Sequence, residues 1–106
     1  MRILFDQGVP VPLRRYLPHH EVSTAYERGW SKLRNGELLD VAETSGFAAL
    51  LTTDTNLRYQ QNPASRRIAI VVLTTTSWPR IEVAAAEVVR AIDATAEGHY
   101  TEVYIP

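Results

Sequence analysis

The chain contains no cysteine. Disulfide staples, thiolate metal sites and cysteine nucleophiles are therefore excluded, and the core must hold by packing alone. Its five glycines are scattered, with Gly8 and Gly36 isolated, so no glycine-rich phosphate loop is present. No stretch approaches the ~18 consecutive apolar residues of a membrane span. The opening "MRILFDQGVP" meets an acid after a run too short for a signal peptide, so a cytoplasmic protein with no membrane partner is expected. The three histidines lack zinc-ligand spacing: His19 and His20 are adjacent and diverge, and His99 stands alone. Ser23, Ser31, Ser45 and Ser77 have no nucleophile-elbow context.

What is present fits one domain spanning residues 1–106. The composition is 45% hydrophobic and 22% charged, enough apolar material for a packed core in a soluble protein. A net charge of −1 argues against a general nucleic-acid binder, but the charge is unevenly spread. Residues 1–80 hold ten of the eleven lysines and arginines against seven acids, a balance of +3. Residues 81–106 hold Arg90 alone against five acids, a balance of −4. A basic body with an acidic tail can meet phosphate at one face only; the alternative, favoured on charge alone, is charges scattered on solvated helix faces.

Hydrophobic patterning alternates between strand and helix. "RILF" reads as a short buried strand ending at Asp6. Gly8, Pro10 and Pro12 then mark a turn and a helix start, with Val11, Leu13, Tyr16 and Leu17 facing inward. A second strand is expected around Glu21–Thr24. Asn35 is placed to cap the next helix, Glu37 stands in its first turn, and Gly46 stops it. Its inward stripe is Leu38, Val41, Ala42 and Ser45, with Leu39 beside it. Residues 48–53 form the third strand and "RIAIVVL" the fourth, a β-branched run suited to a central parallel strand. Ser77 and Pro79 predict the start of one long helix from about Arg80 to Ala96, stopped by Gly98, and "YTEVYIP" alternates like an edge strand. The expected class is α/β, with a mainly parallel sheet and helices on both faces.

Ligands of such sheets bind beyond the carboxyl ends of the strands, and Asp6 and Asp54 both occupy that position. Two carboxylates leaving neighbouring strands repel unless a cation or proton intervenes. Mg²⁺ or Mn²⁺, hard ions held by one or two carboxylates plus water and phosphate, suits such a pair. The chemistry implied is metal-assisted attack of water on a phosphodiester. The competing reading makes them two strand-end acids in turn hydrogen bonds.

"ILFDQGVP", "NGELLDVAETSGFAALLTTDTNL" and "RIAIVVL", in that order, resemble the PIN-like (PilT N-terminus-like) family, in its short bacterial toxin-type branch. The match covers most of residues 2–73. The resemblance implies a three-layer α/β/α sandwich with a mainly parallel sheet of about five strands and a metal-dependent endoribonuclease activity. It also implies the toxin role of a toxin–antitoxin pair, an RNA substrate, a small cognate antitoxin and a possible homodimer. The family's first acid is Asp6 here, its helical acid falls on Asn35, its strand-end acid is Asp54, and its further acid falls on Asn56. Two of these four positions are amides, which can coordinate Mg²⁺ but add no charge. Glu37 is the expected substitute, giving a catalytic set of Asp6, Glu37 and Asp54 with Asn35 and Asn56 as neutral ligands. Asp40, one turn further along, is expected to be a solvated helix acid.

Around these acids, "NLRYQQN" places Arg58 for a phosphate, Tyr59 for base stacking and Gln60 or Gln61 for base edges; the alternative, favoured on the sequence, is a short surface helix with Leu57 and Tyr59 packed down. Arg14 and Arg34 are further candidates for the RNA surface. Two competing functions are carried forward. One is a catalytically weakened or inactive PIN-like fold that binds RNA or protein. The other is a phospho-receiver module, which needs an acid pair after strand one and a lysine after the last strand. Here Gln7 follows Asp6 and the only lysine is Lys32.

Overall fold

The computed structural model describes every residue except 61, 63 and 64, and the side chain of residue 60 is likewise outside the description. Five strands form one sheet: β1 (Arg2–Phe5), β2 (Glu21–Thr24), β3 (Ala49–Thr52), β4 (Ala69–Leu73) and β5 (Tyr100–Val103). Their spatial order is β2-β1-β3-β4-β5 and every neighbouring pair is parallel. A parallel sheet requires a crossover between consecutive strands, and helices on its two faces supply the cover. Four helices do so together with a 3-10 helix over Val11–Tyr16: α1 (Asn35–Thr44), α2 (Leu57–Gln60), α3 (Trp78–Val83) and α4 (Ala85–Ala94).

Strand alternation divides the core in two. Ile3, Phe5, Leu51, Val71 and Leu73 point to one face, where Leu13 of the 3-10 helix, Ile81 of α3 and Val88 and Ile92 of α4 meet them. Leu4, Leu50, Ile70 and Val72 point to the other, against Leu38, Leu39 and Ala42 of α1 and Leu57 of α2. This is a three-layer α/β/α sandwich. The burial string of β4 is unbroken, as a central strand covered on both faces demands.

Three elements differ from the sequence expectation. The segment after β1 is a 3-10 helix, because Pro12 lacks an N–H and the turn closes by i→i+3 bonds such as Leu13 N–H to Pro10 carbonyl at 3.1 Å. The long helix over 80–96 is two helices, α3 and α4. They part at Ala84, where φ −97° and ψ 14° leave the helical range and the amide donates to Ile81 at 3.0 Å. The N-cap of α1 is Arg34 and not Asn35; Gly46, at φ +84°, ends the helix as expected. Among the described residues no helix is long and apolar enough to cross a membrane.

The strand order reverses beside β1. The chain leaves β1 for β2 on one side and returns through α1 to β3 on the other. Loops leaving β1 and β3 therefore diverge above one crevice, the switch point of a doubly wound sheet. Phe5 is in register with Leu51, so the residues that follow them emerge at the same lip.

Candidate active site

Asp6 and Asp54 are brought to that common lip, and a buried threonine ties them together. The Thr52 hydroxyl, in the last residue of β3, donates to Asp6 Oδ2 at 2.8 Å. The Thr52 Oγ1 in turn accepts the Asp54 backbone N–H at 3.1 Å. Thr52 is fully buried, so neither contact is a solvent-exposed accident. The Asp6 amide is itself a rung of the ladder, donating to the Leu51 carbonyl at 2.8 Å.

Each carboxylate is further held by its own loop. Asp6 Oδ1 accepts the Gln7 N–H at 2.8 Å. Asp54 Oδ1 accepts the Asn56 N–H at 2.9 Å, a turn of the kind aspartate favours. Asp54 Oδ2 accepts the Asn35 amide of α1 at 2.6 Å. The turn hydrogen bonds expected on the bland reading are thus present, and both residues also reach the Thr52 hydroxyl, Asp6 through its carboxylate and Asp54 through its backbone N–H. A carboxylate offers about four acceptor positions, and these contacts use two on each group. Among the described residues, no other hydrogen-bond contact to either carboxylate is made.

The other expected ligands are placed differently. Asn35 faces Asp54 as a donor and does not cap its helix. Asn56 contributes its backbone N–H, and its residue is exposed. Glu37 accepts the Arg34 N–H at 3.1 Å, so one carboxylate oxygen is turned to its own helix start. Asp40 is ion-paired to Arg66, which also lies 3.4 Å from Glu43. These contacts strengthen the positive charge of the Arg66 guanidinium and tie α1 to the segment before β4. Among the described residues, no three Asp, Glu, His or Cys side chains group as metal ligands.

Of the candidate RNA contacts, Arg58 and Tyr59 stand on α2, directly after the Asp54 turn. The Arg58 guanidinium lies 5.1 Å from the Tyr59 ring centroid, and 3.2 Å separates its nitrogen from the phenol oxygen. Tyr59 is 74% exposed. Arg58 also reaches Glu102 of β5 at 3.8 Å. Arg34 is exposed at the start of α1. Arg14 is instead engaged by Glu27 through two contacts, at 2.6 and 3.2 Å, and holds that carboxyl below its usual range. The side chain of Gln60, and Gln61 entirely, lie outside the described residues.

One participant escaped sequence reasoning. Thr52 looked like an ordinary strand residue; only its spacing two before Asp54 hinted at a role. Tyr100, whose phenol oxygen is buried without a partner among the described residues, is pushed above its ordinary pKa by burial first and by Glu102 next. A groove of about 470 Å³, lined by Phe47, Arg67, Ile68 and Thr95 among others, lies at the opposite, amino-terminal edge of the sheet and away from the acids. Comparison of the chain with protein-family models, with curated proteins and with solved structures returned no match.

Proposed function

We propose that the lip built on Asp6 and Asp54 binds Mg²⁺ or Mn²⁺ and that the protein hydrolyses RNA phosphodiesters there. The observation that carries this reading is the shared contact of both acidic residues with the Thr52 hydroxyl at the sheet's switch point. The donor types fit a hard divalent ion: the two carboxylates, with Asn35 and Asn56, both in contact with Asp54, as candidate neutral ligands. Once bound, such an ion would acidify a coordinated water and offset charge on the phosphoryl oxygens.

The chain's own residues do the rest. Asp6 and Asp54 hold their carboxylates in fixed directions through Gln7, Thr52, Asn35 and Asn56. Arg58 supplies positive charge for a phosphate beside the reacting group, and the exposed Tyr59 ring suits stacking on an unpaired base. Glu37, through its remaining oxygen, is the candidate to orient water. The resemblance drawn from the sequence extends the reading to a toxin neutralised by a small antitoxin, with a homodimer through the β5 edge or the alanine-rich α4.

A second reading is favoured by one observation. Glu37 is engaged at its helix start, and two of the four acid positions are amides, so the cluster carries little charge. On that reading the lip binds RNA or a protein without turnover. Cleavage of single-stranded RNA with Mn²⁺ or Mg²⁺, by the wild type and by Asp54→Asn, separates the two. Metal-dependent cleavage lost in Asp54→Asn supports the ribonuclease. Equal cleavage by both proteins, or none by either across metals and RNAs, refutes it. A melting-temperature rise with Mn²⁺ that Asp6→Ala abolishes establishes the metal site independently of turnover.

A further inference from the structure

We propose that Gly8 is the positioning residue of this acid lip, because only a missing side chain there lets the loop bearing Asp6 lock against the loop bearing Asp54. The inference rests on the metal-site reading above and adds what sets the spacing of its two carboxylates.

Gly8 lies two residues past Asp6, in the turn closed by the Val9 N–H to the Asp6 carbonyl at 3.0 Å. A Cβ built on Gly8 would stand 2.3 Å from Thr53 Oγ1, 3.6 Å from Thr53 Cβ and 3.8 Å from Thr76 Cγ2. The first distance is impossible for a real side chain, whereas the other two are ordinary contacts. Thr53 directly precedes Asp54, and Thr76 belongs to the loop leaving β4. Three loops of the carboxyl lip therefore meet at the one position where Gly8 has no side chain.

Backbone conformation does not explain the glycine. The chain's positive-φ glycines are Gly29, Gly46 and Gly98, and Gly8 is not among them. Alanine is thus permitted by φ and excluded by a single atom, the Thr53 hydroxyl oxygen. An added methyl must either turn Thr53 about its χ1 or drive the two loops apart. Thr53 is half-buried and β-branched, so its rotamers are few. Parting the loops moves Asp6 relative to Asp54, the two groups that must share one ion.

The steric cause makes a reversible test possible. Gly8→Ala, Thr53→Ala and the double variant Gly8→Ala/Thr53→Ala are titrated with Mn²⁺ alone by calorimetry. In parallel, amide NMR spectra without metal follow the backbone N–H groups of Gln7, Asp54 and Asn56 and the Asn35 side-chain amide. These four report the carboxylate and Thr52 contacts directly. Gly8→Ala is expected to weaken Mn²⁺ binding by about tenfold or more, as loss of support around a ligand does, and to shift these four resonances. Thr53→Ala alone should match the wild type, and the double variant should recover both readouts. A glycine required by its own backbone conformation would not be rescued by a change at Thr53.

Wild-type affinity and unshifted resonances in Gly8→Ala would overturn the proposal. So would a double variant as impaired as Gly8→Ala, because the Thr53 hydroxyl would then not be the obstacle. If Gly8→Ala alone fails to fold, a double variant that folds with the wild-type pattern supports the contact and one that does not refutes it. Should the wild type bind no Mn²⁺, the metal-site reading fails, and the four resonances still decide whether Gly8 sets the lip.

Discussion

Replacing Thr52 by valine tests the connection on which the site depends. Valine keeps the branched shape and exchanges the hydroxyl for a methyl. Two hydrogen bonds disappear at once: the one given to Asp6 at 2.8 Å and the one accepted from the Asp54 N–H at 3.1 Å. A bond to a charged group contributes about 1.5–3 kcal/mol, and leaving a buried donor unpaired costs about 1–3 kcal/mol. Asp6 is half-buried, so water recovers part of the first loss and the lower figures apply. The new methyl returns at most about 0.8 kcal/mol of apolar burial. The net destabilisation is about 2 kcal/mol, which for a domain of this size lowers the melting temperature by about 10 °C. Thr52→Ser keeps the hydroxyl and loses only a methyl, a cost of about 1 kcal/mol in a buried position. Thermal and urea unfolding, followed by circular dichroism, should rank wild type above serine and serine above valine. A valine variant as stable as the wild type, with serine below both, would mean that packing and not the hydroxyl matters at this position, and the bridge between the two acids would fall with it.

Asn35→Asp introduces a third carboxylate beside Asp54. Because Asn35 now donates to Asp54 at 2.6 Å, the new carboxylate should destabilise the metal-free protein by repulsion and enlarge the Mn²⁺-induced rise in melting temperature. A variant destabilised equally with and without Mn²⁺ would count against a metal at this lip. The Arg14–Glu27 pair predicts a pH dependence. Arg14 first, and the Thr24 N–H next, hold the Glu27 carboxyl below its ordinary 4.5. A lowered folded-state value contributes stability above about pH 4.5 that is lost as pH falls through it. Urea unfolding of wild type and Glu27→Gln should therefore differ most near neutrality and converge in acid. The difference is small, because the Glu27 side chain is half exposed. A gap that widens in acid would reverse the assigned sign.

Much of the architecture could be read locally. The runs "RILF", "ALLT" and "AIVVL" became β1, β3 and β4 because an apolar strand covered on both faces has no polar alternation to hide. Gly46 ended α1 where a positive φ was needed. Misreadings were also local in origin. Asn35 is a strong capping residue by type, but its amide met Asp54, 19 positions away, and the cap passed to Arg34 and Glu37. Arg14 looked free for phosphate until the fold set Glu27 beside it.

By itself, then, the order of residues determined which segments are strands and that Asp6 and Asp54 follow the carboxyl ends of two of them. These follow from periodicity and turn chemistry, which act over a few neighbouring residues. Which strands are neighbours, and hence that the Thr52 hydroxyl reaches a carboxylate 46 positions earlier, was decided only by tertiary structure. The same holds for Gly8, whose missing side chain has meaning only because Thr53 fills the space. Such contacts depend on strand register and loop packing between distant segments, for which a single chain carries no local signal.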